Sequence, residues 1–186
     1  MTPGGELKAL LGSAAGRSAV YALLARCFRH PAQVEQHPLP APAFEAAFEP
    51  AISEHACSLR AGAYWAHEQS TLFEELVRFY EHFGLARAEH AELPDHLSVQ
   101  FQFMHYLAHL EDEARADRAA IDALTRAQRD FLERQLRRLV YAVHGALKSG
   151  DAGCRELVAL AVSCVDAEIA RTSRAARRNP DIPSTT

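Results

Sequence analysis

The sequence lacks the features that advertise most common activities. Among its 186 residues no apolar run is long enough, at about 18 residues, to span a membrane as a helix. The opening MTPGGELKALLGS has no charged-then-apolar layout of a secretory signal, so a cytoplasmic location is expected. The net charge of −4 offers no basic field for nucleic acid. Cys27, Cys57, Cys154 and Cys164 form no CxxC pair, which excludes a zinc knuckle or thioredoxin-type motif and leaves reduced, buried thiols as the expectation. There is no Gly-rich phosphate loop, no Ser or Cys nucleophile in a recognisable setting, no internal repeat and no convincing strand alternation.

What is present is helical periodicity over a length suited to one core. Leu7, Leu10 and Leu11 begin an apolar stripe that continues through Tyr21, Leu24 and Phe28 to His30-Pro31. After the Pro-rich loop HPLPAPAF, a short helix is expected around Phe44 to Leu59. Thr71-Leu72-Phe73-Glu74 has capping-box spacing and should open a helix running to Phe83, which Gly84 closes by taking a left-handed conformation. The stretch from Arg115 to Leu147 carries apolar residues at helical intervals, with a break expected near Thr125 and an end at Gly150. A last helix, about Gly153 to Arg171, turns Leu157, Leu160, Ala161, Cys164 and Val165 inward. The expectation is an all-α single compact domain over 1–172, followed by a flexible polar tail over 173–186 that has too little apolar area to offset its ordering entropy.

Function is most legible between Phe79 and Glu111, FYEHFGLARAEHAELPDHLSVQFQFMHYLAHLE. Pro94 suits the first turn of a helix, which puts Asp95 and His96 at a helix start, where unpaired amides favour a carboxylate. Leu97, Phe101, Met104 and Ala108 form one apolar stripe and Val99, Phe103, Leu107 and Leu110 a second, so this helix should be buried nearly all round. Asp95 then either caps its helix, a role Asn would also fill, or serves a binding site with His96 and Glu92. Phe79, Tyr80 and Phe83, with Tyr64, Trp65 and Phe73, belong either to the core or to an apolar binding groove. His105 and His109 lie one turn apart like a metal pair, but the HExxH glutamate and a third ligand are missing, so no metal is expected. Arg134, Arg137 and Arg138 form a solvated face or a contact for an anionic cofactor such as a pterin phosphate. The tail arginines Arg171, Arg174, Arg177 and Arg178 read as solubilising beside the acidic remainder.

Three blocks carry a family resemblance: Arg17 to Pro31 (RSAVYALLARCFRHP), Leu72 to Leu85 (LFEELVRFYEHFGL) and Ala91 to Glu111, with Glu92-x-Pro94-Asp95-His96 followed by Phe103-Met104 as its specific part. In these the chain resembles the TorD/DmsD/NarJ redox-enzyme maturation chaperones, most closely the branch serving type II DMSO-reductase-like molybdoenzymes. It departs from the family's usual pattern at Gln100 and Gln102, where acidic residues are common, and at Gln135 and Arg138-Leu139, where relatives carry a His and a Pro-Trp pair. The resemblance implies a TorD-like helical bundle without catalytic residues or a cofactor of its own. It implies a cytoplasmic chaperone that binds the apo catalytic subunit of a molybdenum-cofactor oxidoreductase, often through its twin-arginine signal peptide, until the cofactor is inserted. Glu92, Pro94, Asp95, His96, Phe79, Tyr80, Phe83 and Met104 are the expected client-binding residues. Monomer and homodimer both stay open, as does the client's substrate, none of whose atoms would touch this chain. The competing readings are a metal-dependent helical hydrolase using His96, His105 and His109, and a helical DNA-binding regulator.

Overall fold

Ser13 decides how the first apolar stripe is divided. Its Oγ accepts the Gly16 N–H at 3.1 Å and caps a new helix, so the stripe becomes α1 (Pro3–Leu10) and α2 (Ala14–Cys27) instead of one rod. The chain bends sharply there, and a Cβ on Gly16 would meet the Leu10 carbonyl oxygen. The computed structural model describes residues 3–65, 68–88 and 91–178. It continues with α3 (Ala41–Phe48), α4 (Gln69–His82), α5 (Leu97–Glu113), α6 (Arg118–Phe131), α7 (Arg137–Ala146) and α8 (Ala152–Arg178). Single 3-10 turns lie at Pro31–Gln33 and Ala61–Ala63, and among the described residues the only β pairing is an isolated bridge between Arg60 and His96.

Helix α5 is the axis of the bundle. Its Phe101 stacks on Phe28 of the segment after α2 (5.7 Å between centroids, 14° between planes) and meets Tyr21 at 6.3 Å. On another side Phe103 contacts Phe131 of α6 at 4.7 Å and Tyr80 of α4 at 4.9 Å. Phe101, Met104, Leu107 and Ala108 have no exposed surface. The helix is buried nearly all round, as its two stripes imply, and one edge stays open, where Gln102 and His109 are exposed and Tyr106 is half-buried.

Several boundaries differ from the sequence expectation. The short third helix stops at Phe48, well before Leu59. Helix α4 starts two residues before Thr71, and its cap residue Glu68 makes no side-chain cap bond. The break expected at Thr125 is instead a π turn at Leu132–Leu136, which lets Phe131, Leu132, Gln135 and Leu136 all face the core. Helix α7 ends at Ala146, ahead of Gly150. In α8, Leu160 is exposed at 37% and Val158 takes the buried place. That helix runs to Arg178, seven residues past Arg171, since the Ala and Arg of RAARR are good helix formers. The first six residues read as tail are therefore helical, and 179–186 lie outside the described residues. Gly84 does take the left-handed conformation, φ 73°.

A polar knot ties α2, α5, α6 and α8 together. Arg17 donates to Glu111 at 2.6 Å and lies 3.6 Å from Glu168, whose carboxylate also accepts from Arg171 at 3.0 Å. Gln128 donates to Glu111 at 2.7 Å and accepts from Arg171 at 2.8 Å, while the Tyr21 hydroxyl donates to Glu168 at 3.3 Å. Burial, then the Glu168 carboxylate, drives the Tyr21 pKa well up, so its hydroxyl stays a donor.

Candidate functional site

The ELPDH block forms a pinned corner. Leu97 donates its N–H to the Leu59 carbonyl at 2.8 Å and Ala61 donates to the Asp95 carbonyl at 3.1 Å, so the 59–61 segment lies along the start of α5. Asp95 completes the joint with its side chain: Oδ2 accepts the Gly62 N–H at 2.9 Å and Oδ1 accepts from Arg60 Nε at 3.3 Å. Gly62 permits this approach, since a Cβ there would sit 3.1 Å from Asp95 Oδ2. Asp95 is fully buried, and it is not the helix cap. The cap is His96, whose Nδ1 accepts the Ser98 N–H at 3.2 Å and faces Ser98 Oγ at 2.8 Å. Pro94 precedes the helix by three residues and receives the Tyr80 hydroxyl on its carbonyl at 2.9 Å.

Capping fixes the His96 tautomer, because a nitrogen that accepts an amide N–H carries no proton; the ring proton is on Nε2. Burial pushes the His96 pKa below the ordinary imidazole value, against the opposing pull of Glu92 and Asp95 and with the help of Arg60 and Arg29. Burial also raises the Tyr80 pKa, with Asp95 adding to it, so Tyr80 stays a neutral donor.

Beside the corner opens a groove of about 1300 Å³. One wall is the segment after α2 with the end of α3 (Phe28, Arg29, His30, Gln33, Phe44, Glu49, Ile52), and the other is formed by residues 85–88 and 91–94 with Tyr80. The floor is the open edge of α5: His96, Ser98, Val99, Gln102, Phe103, His105 and Tyr106. Two arginines (Arg29, Arg87) balance two glutamates (Glu49, Glu92), and Ile52, 64% exposed, supplies an apolar rim.

Of the expected client-binding residues, Glu92, Pro94, His96 and Tyr80 line this groove. Asp95 and Met104 are wholly buried behind it. Phe79 packs on Phe131 at 5.4 Å beneath Arg134, and Phe83 packs on Phe103 at 5.7 Å, both away from the opening. The sequence reading missed the opposite wall, because Arg29, His30, Phe44 and Ile52 belong to elements that only tertiary packing brings to α5.

The other candidate clusters have internal partners. Arg134 pairs with Glu75 at 3.0 Å, Arg137 lies over Tyr141 at 5.4 Å, and Arg138 lies over Trp65 at 4.6 Å and pairs with Glu68 at 3.5 Å. His105 and His109 stack at 6.3 Å, but His105 Nδ1 is held by Ser18 and His109 faces Glu113 at 3.5 Å; no group of three metal-ligating side chains occurs among the described residues. The four cysteines are free and buried, with burial raising the Cys57 and Cys154 thiols to about 11. No described helix is long and apolar enough to cross a membrane.

Comparison with known proteins meets this geometry at the family level. The chain is 44% identical over 66 residues to a perchlorate reductase assembly chaperone protein of Dechloromonas aromatica (strain RCB), covering 35% of this chain and 30% of that protein. It is 39% identical over 66 residues to a selenate reductase assembly chaperone protein of Thauera selenatis, covering 35% and 34%. To a dimethyl sulfide dehydrogenase assembly chaperone protein of Rhodovulum sulfidophilum it is 36% identical over 81 residues, covering 41% and 32%. The chain thus spans about a third of the length of the curated relatives it matches. No solved structure matches it. Residues 13–143, which hold α2 through most of α7 and therefore the whole groove, match the sequence profile described as nitrate reductase delta subunit, and the chain belongs to that family, the TorD/NarJ group of redox-enzyme assembly chaperones.

Proposed function

We propose that this protein is a non-catalytic, cytoplasmic chaperone that binds the apo catalytic subunit of a molybdenum-cofactor oxidoreductase and holds it for cofactor insertion. The observation that carries the reading is the groove of about 1300 Å³ bordered by Glu92, Pro94 and His96 of the specific family block. Its aromatic and aliphatic lining (Phe28, Phe44, Ile52, Val99, Phe103) suits an apolar client segment, and Glu49 and Glu92 on its rim suit the cationic part of a twin-arginine signal peptide. The relatives support an oxidoreductase client, since each is named for the assembly of a reductase or dehydrogenase. The molybdenum cofactor belongs to the client; this chain binds neither metal nor cofactor tightly. Purification of the tagged chain from its native host, with identification of what accompanies it, tests the proposal. The expected result is one catalytic polypeptide of a molybdenum oxidoreductase in apo form; absence of such a polypeptide, or recovery of stoichiometric metal on this chain, overturns it.

A further inference from the structure

The open edge of α5 carries a hydrogen-bonding pattern that the chaperone reading, on which this inference rests, does not use. His105 Nδ1 lies 3.0 Å from the Ser18 carbonyl oxygen, which can only accept, so Nδ1 bears the ring proton. In that tautomer Nε2 carries a lone pair, and it has no partner among the described residues although the ring lines the groove. One turn earlier, Arg29 donates to Gln102 Oε1 at 3.0 Å, which leaves the Gln102 amide N–H groups as free donors. Three residues of helix rise separate the two side chains by about 4.5 Å along the axis. A donor and an acceptor so placed imitate one residue of a β-ladder, which exchanges both its N–H and its C=O with the residue opposite. Toward the helix start, His96 adds a second donor at Nε2, about 9 Å from Gln102 along the axis, or roughly three residues of extended chain.

We propose that Gln102 and His105 read the main chain of an extended client segment laid along α5, one residue of which accepts from Gln102 and donates to His105. The charge balance of the lining favours this occupant. Arg29 and Arg87 offset Glu49 and Glu92, the Asp95 carboxylate is spent on Arg60 and Gly62, and the floor itself is neutral. A neutral floor that offers donors at His96 and Gln102 and an acceptor at His105 is matched by peptide backbone, with apolar side chains settling on Val99 and Tyr106. This main-chain contact is made by the apolar part of the signal segment and does not involve its arginines, which the rim carboxylates Glu49 and Glu92 would receive.

Two replacements at His105 separate binding from structure. Asn keeps a group at the Nδ1 position to donate to Ser18 but removes the Nε2 acceptor; Gln does the reverse. Affinity is measured by calorimetry against the apo catalytic polypeptide that co-purifies with the chain, with and without its N-terminal signal segment. His105→Asn is expected to unfold like the wild type and bind roughly tenfold more weakly, and His105→Gln to retain affinity. Gln102→Ala, on an exposed side chain, should give a similar loss, and the double variant less than the product of the two because both contact one client residue. Wild-type affinity in His105→Asn and Gln102→Ala overturns the inference while leaving the chaperone reading intact. Failure of the wild type to bind any client polypeptide removes that reading itself.

Discussion

Two clusters of buried charge hold this molecule together, and they differ in what they leave outside. In the knot around Arg17 both sides of the ion pair are sealed, with 4% exposure for the Arg17 side chain and none for Glu168, and four helices contribute. At the corner around Asp95 the carboxylate is equally sealed but its cation Arg60 is 40% exposed, and the partners are loop backbone and a helix start. A sealed network whose every member faces another helix stabilises packing and offers nothing to a partner. A half-open one fixes loop geometry and leaves its neighbours, Tyr80 and His96, at the edge of the groove. Position relative to solvent, more than residue type, separates the structural cluster from the one beside the site.

This contrast breaks most clearly at Arg17. Replacing it by Met leaves Glu111 and Glu168 without their shared cation, and urea unfolding should show a loss of about 3–5 kcal/mol. A loss below about 1 kcal/mol would mean that the knot is only ornamental to stability. Asp95→Asn comes next. Because Asp95 accepts two donors and caps nothing, the amide turns an N–H against either Gly62 N–H or Arg60, and about 1–3 kcal/mol should be lost. An unchanged midpoint would mean that the two side-chain contacts of Asp95 add little to stability.

His96 sharpens the comparison through pH. Its pKa is depressed in the folded chain, so the unfolded chain binds the proton more readily. The contribution of His96 to stability is complete above the ordinary value near 6.5 and is lost as pH falls through the lower folded value. Protonating Nδ1 also removes the acceptor that caps α5. Thermal unfolding followed from about pH 7.5 to about pH 5 should therefore fall less steeply in His96→Gln than in the wild type. The smallest effect is expected at the C-terminus. Thr172 is buried and bonded to the Glu168 carbonyl at 2.9 Å, whereas Arg174 is exposed, so truncation after Thr172 should change stability by about 0.5 kcal/mol or less.

The helical class and the central apolar helix were legible because periodicity is a local property, and Gly84 marked a true helix end for the same reason. At the corner the sequence offers Asp95 as a helix cap or as a binding residue with His96 and Glu92, and in the structure His96 takes the cap while Asp95 pins the loop. Asp and His both suit a helix start, and only the arrival of Arg60 and Gly62 from 33 to 35 positions upstream takes Asp95 away from the cap. The groove was half visible. Its ELPDH side is a contiguous motif, whereas Arg29, Phe44 and Ile52 become neighbours of α5 only through the packing of α2 and α3. Met104 illustrates the opposite error, since its place in the motif suggested contact with a client and its place in the stripe buries it completely.

The π turn at Leu132–Leu136 decides how this helix responds to a change of length. A wider turn absorbs one surplus residue without changing the direction in which the following helix faces, whereas in a regular helix each added residue turns everything after it by about 100°. The widened turn puts Glu133 and Arg134 on the outer surface, while Gln135 reaches Glu75 at 2.8 Å and Leu139, Val140 and Val143 face the core. Removal of one residue here would restore a regular helix and leave Leu139, Val140 and Val143 on their present face, so the turn is a place where the helix tolerates a one-residue change without loss of the core beneath the groove.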